Sequence, residues 1–219
     1  MWSRLWISFE IGRRNFRNIK RVLLDILRRG HVEHDFLFTT DGFEMYEWAA
    51  KRLLRGVCIY GQVIKKRREN RVVKFDRRLL LGTEAELEKA LFHSADSSTL
   101  DTSFVERHNL TIRQGCSYLG RRTPCHARRT EFLEGRVALL MAYYNFLRPH
   151  RALKFGETLR TPAMQAGVAN KSLSFREVFT SEAAFFLFLL MVIVARYPRL
   201  DFRSVQFGNW RGNGSTTLA

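Results

Sequence analysis

Hydrophobic and polar residues alternate near the N-terminus and then follow a helical spacing. Within residues 3–11, Leu5, Ile7, Phe9 and Ile11 share one face, which predicts a β-strand ending at Gly12. Residues 16–29 carry apolar side chains every three or four positions, with Arg and Lys on the other face. This pattern predicts an amphipathic helix followed by Gly30.

The next segments continue the alternation of strands and helices. Residues 36–40 form a short apolar strand that ends at Asp41-Gly42, residues 43–55 are helical in pattern, and residues 57–60 are again strand-like. This order predicts an α/β domain with a mostly buried sheet between layers of helices.

Residues 61–82 are unusually basic and predict a strand or hairpin. The basic residues are Lys65, Lys66, Arg67, Arg68, Arg71, Lys74, Arg77 and Arg78, against the acidic Glu69 and Asp76. Thr83-Glu-Ala-Glu86 is a capping-box pattern that predicts a helix to about residue 92. Further helices are predicted near 103–114 and 131–146, separated by a second basic loop at 121–129.

The C-terminal part differs in character from the rest. Residues 183–195 are uncharged and apolar, and 209–219 have the composition of an unstructured tail. A helix of thirteen residues spans about 20 Å, less than the ~30 Å hydrocarbon layer of a bilayer. We expect two regions, 1–180 as a domain and 181–219 as an apolar helix plus disordered tail, and consider a membrane contact by 183–195 the minor alternative.

Composition narrows the class of partner. The 219 residues include 46% hydrophobic residues, enough to exclude wholesale disorder, and carry a formal charge of +16. This charge favours a polyanion, either nucleic acid or an anionic membrane. The three cysteines lack disulfide-framework spacing and no signal peptide is visible, so we expect a reducing, cytoplasmic location.

Asp41 is the first candidate for chemistry, since ligands of open α/β sheets gather at the carboxyl ends of strands. A carboxylate there suits Mg²⁺, which is often held by one or two carboxylates together with substrate phosphates. Thr-Asp-Gly is equally a common turn sequence, so the pattern leaves open whether Asp41 is a metal ligand or only a turn residue.

A second candidate lies in the predicted helix 103–114. Glu106, Asn109 and Arg113 are spaced i, i+3 and i+7, so they share one stripe that suits a phosphodiester site. A solvated helix face explains the spacing as well. Farther along, Tyr-Tyr-Asn145-Phe-Leu-Arg148-Pro-His150 ends a helix and either positions nucleic acid or only terminates that helix.

Three strings occur together in order. They are Phe-Thr-Thr-Asp41-Gly, then Asp-Thr-Ser-Phe-Val-Glu106-Arg-His-Asn-Leu-Thr-Ile-Arg113-Gln, then Tyr-Tyr-Asn145-Phe-Leu-Arg-Pro-His150 with Arg-Thr-Pro162-Ala-Met. Over about residues 3–180 they resemble the catalytic domain of insertion-sequence transposases, most of all the insertion-sequence-1 family. These are DDE enzymes with an RNase H-like fold, a mixed sheet flanked by helices.

The resemblance implies site residues and a cofactor. Asp41 corresponds to the second catalytic Asp, Glu106 to the catalytic Glu and Arg113 to the basic residue of that helix, with Asp41 and Glu106 as ligands of Mg²⁺ or Mn²⁺. The reaction would be two-metal phosphoryl transfer on transposon-end DNA. The expected DNA-binding residues are Asn109, Arg113, Lys65, Lys66, Arg67, Arg68, Arg121, Arg122, Arg148 and His150.

The chain departs from the family pattern at its start. The family's first catalytic Asp would fall at or before Met1, so we expect a truncated domain that lacks its first strand and has little or no strand-transfer activity. The partners expected are transposon-end DNA and another copy of the chain, without a small-molecule substrate. The alternatives are a non-catalytic DNA-binding transposase remnant and a basic peripheral membrane protein anchored by 183–195.

Overall fold

A computed structural model describes residues 3–29, 36–69, 71–92, 98–155 and 157–180. The predicted helix at 183–195 and the tail at 209–219 lie outside these residues. Within them, no helix combines the length and the apolar character needed to cross a bilayer.

The first half of the chain forms one mixed sheet with helices. Helix α1 (Phe16–Arg29) is followed by β1 (Phe36–Asp41), α2 (Glu44–Leu53), β2 (Cys58–Arg68) and β3 (Arg71–Leu81). The sheet order is β1-β2-β3, with β1 parallel to β2 and β3 antiparallel to β2. The predicted α/β class and the basic hairpin are therefore confirmed, and β2 is far longer than the predicted 57–60.

The second half adds helices and a small hairpin. These elements are α3 (Glu84–Phe92), α4 (Ser103–Gly115), a 3₁₀ turn (Ser117–Leu119), α5 (Thr130–Ala142), a π-helical turn (Tyr143–Leu147), β4 (His150–Phe155), β5 (Thr158–Arg160), α6 (Pro162–Gln165) and α7 (Phe175–Thr180). The capping box predicted at the start of α3 is present: the Thr83 N–H donates to Glu86 at 2.6 Å, and the Glu86 N–H donates to the Thr83 hydroxyl at 3.3 Å.

Successive side chains of β2 point to opposite faces of the sheet, and both faces are covered over residues 58–63. Tyr60 packs with Ile19 and Leu23 of α1 on one face, while Ile59 and Val63 pack with apolar residues from α3 and the loop before α4 on the other. Burial on both faces explains the continuous apolar run at the start of β2.

The predicted strand at 3–11 is not formed. In the described stretch 3–15 the chain is extended, but no described strand lies beside it, so it has no ladder partner. Instead Trp6 packs with Met141 and Tyr144 in a separate cluster. Its backbone is held by the buried side chain of Asn145, which replaces strand pairing.

Candidate functional site

Asp41 and Glu106 lie on one cavity of about 610 Å³. Its walls come from α1, the end of β1, the first half of α4 and residues 10–14. Asn109 lines the same cavity one turn after Glu106, so two members of the predicted stripe meet Asp41 here. Both carboxylates keep about half of their side-chain surface exposed, 55% for Asp41 and 54% for Glu106.

Asp41 is the last residue of a parallel strand, and the chain turns sharply after it. The Phe43 N–H donates to the Asp41 carboxylate at 3.2 Å, closing an Asx-type turn. Gly42 is needed because a Cβ there would lie 2.8 Å from Ile64 of the neighbouring strand. Asp41 therefore both forms the turn and lines the cavity, so the two interpretations of Thr-Asp-Gly are compatible.

Arg14 binds Asp41 directly. One terminal nitrogen of Arg14 lies 2.6 Å from both carboxylate oxygens, and the guanidinium carbon lies 4.1 Å from the centre of the Phe43 ring. Partial burial lowers the pKa of Arg14, but the hydrogen bond to Asp41 and attraction to Tyr46 and Asp41 outweigh it and raise the pKa overall. Sequence patterns did not single out Arg14, which lies 27 positions from Asp41.

Glu106 is paired in the same way by Lys65 of β2. The Lys65 ammonium donates to Glu106, whose same oxygen accepts a hydrogen bond from the Thr102 hydroxyl at 3.2 Å. Asp101 fixes the start of α4 by accepting from the Ser103 hydroxyl at 2.6 Å and from the Thr102 N–H at 2.6 Å. The Ser103 hydrogen bond chiefly lowers the pKa of Asp101, against a smaller opposite effect of burial.

The remaining predicted DNA-binding residues are spread over other surfaces. Arg113 lines a different hollow of about 430 Å³ with Arg121, so it does not meet Asp41. Lys66 and Arg68 are exposed on the β2–β3 hairpin, and Arg121, Arg122 and Arg148 are exposed elsewhere. Arg67 lies on β2 between Lys66 and Arg68.

His150 is half-buried and packs on Tyr144, 4.5 Å between ring centres, with its Nε2 at 3.3 Å from the Tyr144 carbonyl. Burial lowers the pKa of His150, and this is only partly offset by that hydrogen bond. Asn145, in the same segment, has no exposed surface and accepts a hydrogen bond from the Trp6 N–H. These contacts give the 144–150 segment a structural role.

The metal ion implied by the resemblance does not fit this arrangement as it stands. Both oxygens of Asp41 face Arg14, and Glu106 is bound to Lys65. Among the described residues, no three His, Cys, Asp or Glu side chains come together as a ligand set. The site is therefore a pair of carboxylates, each neutralised by its own cation.

The β2–β3 hairpin forms the adjoining surface. From Ile64 on it extends as a two-stranded ribbon of residues 64–69 and 71–78, in which Lys66 faces Lys74 and Arg68 faces Arg71 across the strands. We call these two segments the basic ribbon. Comparison of the chain with protein-family models, with curated proteins and with solved structures finds no match.

Proposed function

We propose that this chain is a DNA-binding domain of the insertion-sequence transposase type, with an RNase H-like core, that holds a phosphodiester strand without cleaving it. The observation that carries the proposal is the Lys65–Glu106 pair. It ties Lys65 of the basic ribbon to Glu106, which lines the cavity together with Asp41. A DNA partner also agrees with a cytoplasmic location beside the nucleoid.

The ribbon supports a polyanion as the ligand. Cationic side chains placed directly opposite each other destabilise an antiparallel pair, and the ribbon contains two such positions, Lys66–Lys74 and Arg68–Arg71. Phosphates bound between these residues would remove the repulsion and release condensed counterions. A two-stranded ribbon is also narrow enough to enter the major groove of B-DNA.

The two ion pairs support binding rather than cleavage. Arg14 and Lys65 put positive charge at the positions where a DDE enzyme would carry metal ions, and they leave neither carboxylate free as a ligand. In this arrangement Asp41 and Glu106 position the two cations, which can bind phosphate oxygens as charge-assisted donors.

Binding is tested by fluorescence anisotropy with a labelled duplex over a range of salt concentrations. We compare the native chain with a ribbon variant in which Lys66, Arg68, Arg71 and Lys74 are changed to Ala. If all four contact phosphates, the slope of log K against log salt falls in magnitude by up to about 4. The matched control removes four exposed cations, three on α1 and one just after α2: Arg17, Lys20, Arg28 and Arg55. An equal loss of DNA affinity in both variants would show that binding depends on overall charge, and it would contradict a binding site on the ribbon.

Cleavage is tested separately on end-containing DNA with Mg²⁺ or Mn²⁺. We expect no strand cleavage or transfer by the native chain. Robust turnover that Glu106→Gln abolishes would show an active metal site and overturn the non-cleaving part of the proposal.

A further inference from the structure

Phe75 is an exposed aromatic ring next to the candidate site. It lies on β3 directly opposite Lys65, the residue that binds Glu106. Lys65 lies two positions after buried Val63 and so on the same face of the sheet, the one covered by α3 and the loop before α4. Yet 46% of the Phe75 surface remains exposed.

The ring does not belong to a hydrophobic core. Residues 71–75 are all exposed, and neighbouring Val73 is 61% exposed, so this part of the ribbon has solvent on both faces. A large apolar side chain gains little hydrophobic stabilisation in such a place, because little of its surface is removed from water.

Two cationic side chains, Lys65 and Arg77, lie over the Phe75 ring. The Lys65 ammonium lies 5.5 Å from the ring centre and the Arg77 guanidinium carbon 5.8 Å from it. Arg77 is itself anchored, because its Nε donates to the Leu100 carbonyl at 2.8 Å. Lys65 is tied to Glu106, so the ring keeps a fixed relation to the carboxylate pair.

The ring has two cations over it and keeps 46% of its surface exposed, which matches the chemistry of a nucleotide, whose flat base stacks on the exposed part of the ring while its phosphate meets the cations. A paired base inside a duplex has both faces covered by its neighbours, so only an unpaired or opened base can reach Phe75. The ribbon carries eight basic residues and two acidic ones, which favours a nucleic-acid ligand over an apolar protein surface.

We propose that Phe75 is a stacking platform for an unpaired base of the DNA strand whose phosphodiester lies at the Asp41–Glu106 cavity. This inference rests on the proposed function and specifies its substrate as DNA with a single-stranded portion next to the bound phosphate. Lys65 contacts both features, so the stacked base and the bound phosphate belong to the same strand and lie close along it.

The test uses the full chain and duplexes with a single-stranded overhang that carries 2-aminopurine at successive positions. Stacking on Phe75 should change the fluorescence at one position, and Phe75→Leu should abolish that change. We expect Phe75→Leu to weaken overhang binding by about 5- to 100-fold and to leave a fully paired duplex unaffected. Phe75→Trp should keep both the signal and the affinity.

The matched control is Phe132→Leu, since Phe132 is 56% exposed on α5. Thermal unfolding shows that each variant is folded. If the native chain binds no DNA, the proposed function itself fails. If it binds overhang DNA and Phe75→Leu binds it equally well, the stacking proposal is overturned while the proposed function stands; equal losses for Phe75→Leu and Phe132→Leu also overturn it.

Discussion

The side chain of Asn145 forms two hydrogen bonds with the backbone of Trp6, 139 positions away. Its oxygen accepts from the Trp6 N–H at 2.9 Å and its nitrogen donates to the Trp6 carbonyl at 2.8 Å. Asn145 has no exposed surface, so the amide substitutes for a neighbouring strand at this point.

Asn145→Ala should therefore destabilise the fold strongly. It leaves two buried backbone groups of Trp6 without partners, a loss of about 2–4 kcal/mol in the free energy of unfolding. Urea unfolding followed by tryptophan fluorescence measures this change. Asn170→Ala, at an exposed Asn, is the control and should change the unfolding free energy by less than about 0.5 kcal/mol. Equal stability of the two variants would contradict a structural role for Asn145.

Local patterns predicted the elements whose partners are nearby in space and sequence. Helix α1, strand β1 and helix α4 all follow from apolar spacing, and the capping box at Thr83 marks the start of α3. The segment 3–11 has equally good alternation, but none of the described strands lies beside it, because pairing depends on another part of the chain. The apolar residues of the β4–β5 hairpin show no periodicity strong enough to predict its two strands.

The sequence singled out Asp41, Glu106, Asn109 and Lys65 one by one, but it did not predict the two ion pairs of the candidate site. Asp41 and Glu106 stood out by position and resemblance, and the structure places them on one cavity. Their cations, Arg14 and Lys65, come from segments 27 and 41 positions away, a relation that no local pattern contains. Arg113 shares a helix stripe with Glu106 but lies about two turns farther along the axis, and so lines another hollow.

Stability should fall on acidification because of His108. Its ring packs edge-on against Trp6 and Tyr144, and burial, with a smaller effect of His150, lowers the pKa of His108 to about 4. The unfolded chain takes up a proton near pH 6.5 while the folded chain does not, so the unfolding free energy decreases as the pH falls from about 6.5 to about 4.

Thermal melts at a series of pH values measure this dependence. His108→Phe keeps a ring in the aromatic cluster and removes the titrating group, so its melting temperature should vary less across that window. His126→Asn, at an exposed position, should melt with the pH profile of the native chain. If the melting temperature of His108→Phe changed with pH as steeply as that of the native chain, the pH dependence would come from other groups.

The three cysteines should differ sharply in reactivity. Cys125 is exposed, while Cys58 and Cys116 are buried, and burial raises the pKa of the Cys58 thiol to about 11. A thiol reagent such as DTNB should therefore label one thiol rapidly in the native state and all three in denaturant. Cys125→Ser should abolish the rapid phase, and rapid labelling of a second thiol in that variant would contradict the packing around β2 or α4.

Removing Arg14 or Lys65 should expose the carboxylates to metal ions. The side chains of the Arg14–Asp41 pair are 49% and 55% exposed, so the unfolding free energy should change by less than about 1 kcal/mol in Arg14→Ala. Affinity for Mn²⁺, measured by calorimetry without DNA, should rise by up to about 5-fold for each cation removed, because the ion no longer competes with an internal partner. Lys171→Ala is the matched control, since Lys171 pairs with Glu177 and neither residue lines the cavity. If Arg14→Ala and Lys65→Ala bind Mn²⁺ no better than Lys171→Ala, the two ion pairs are not what keeps a metal ion from Asp41 and Glu106.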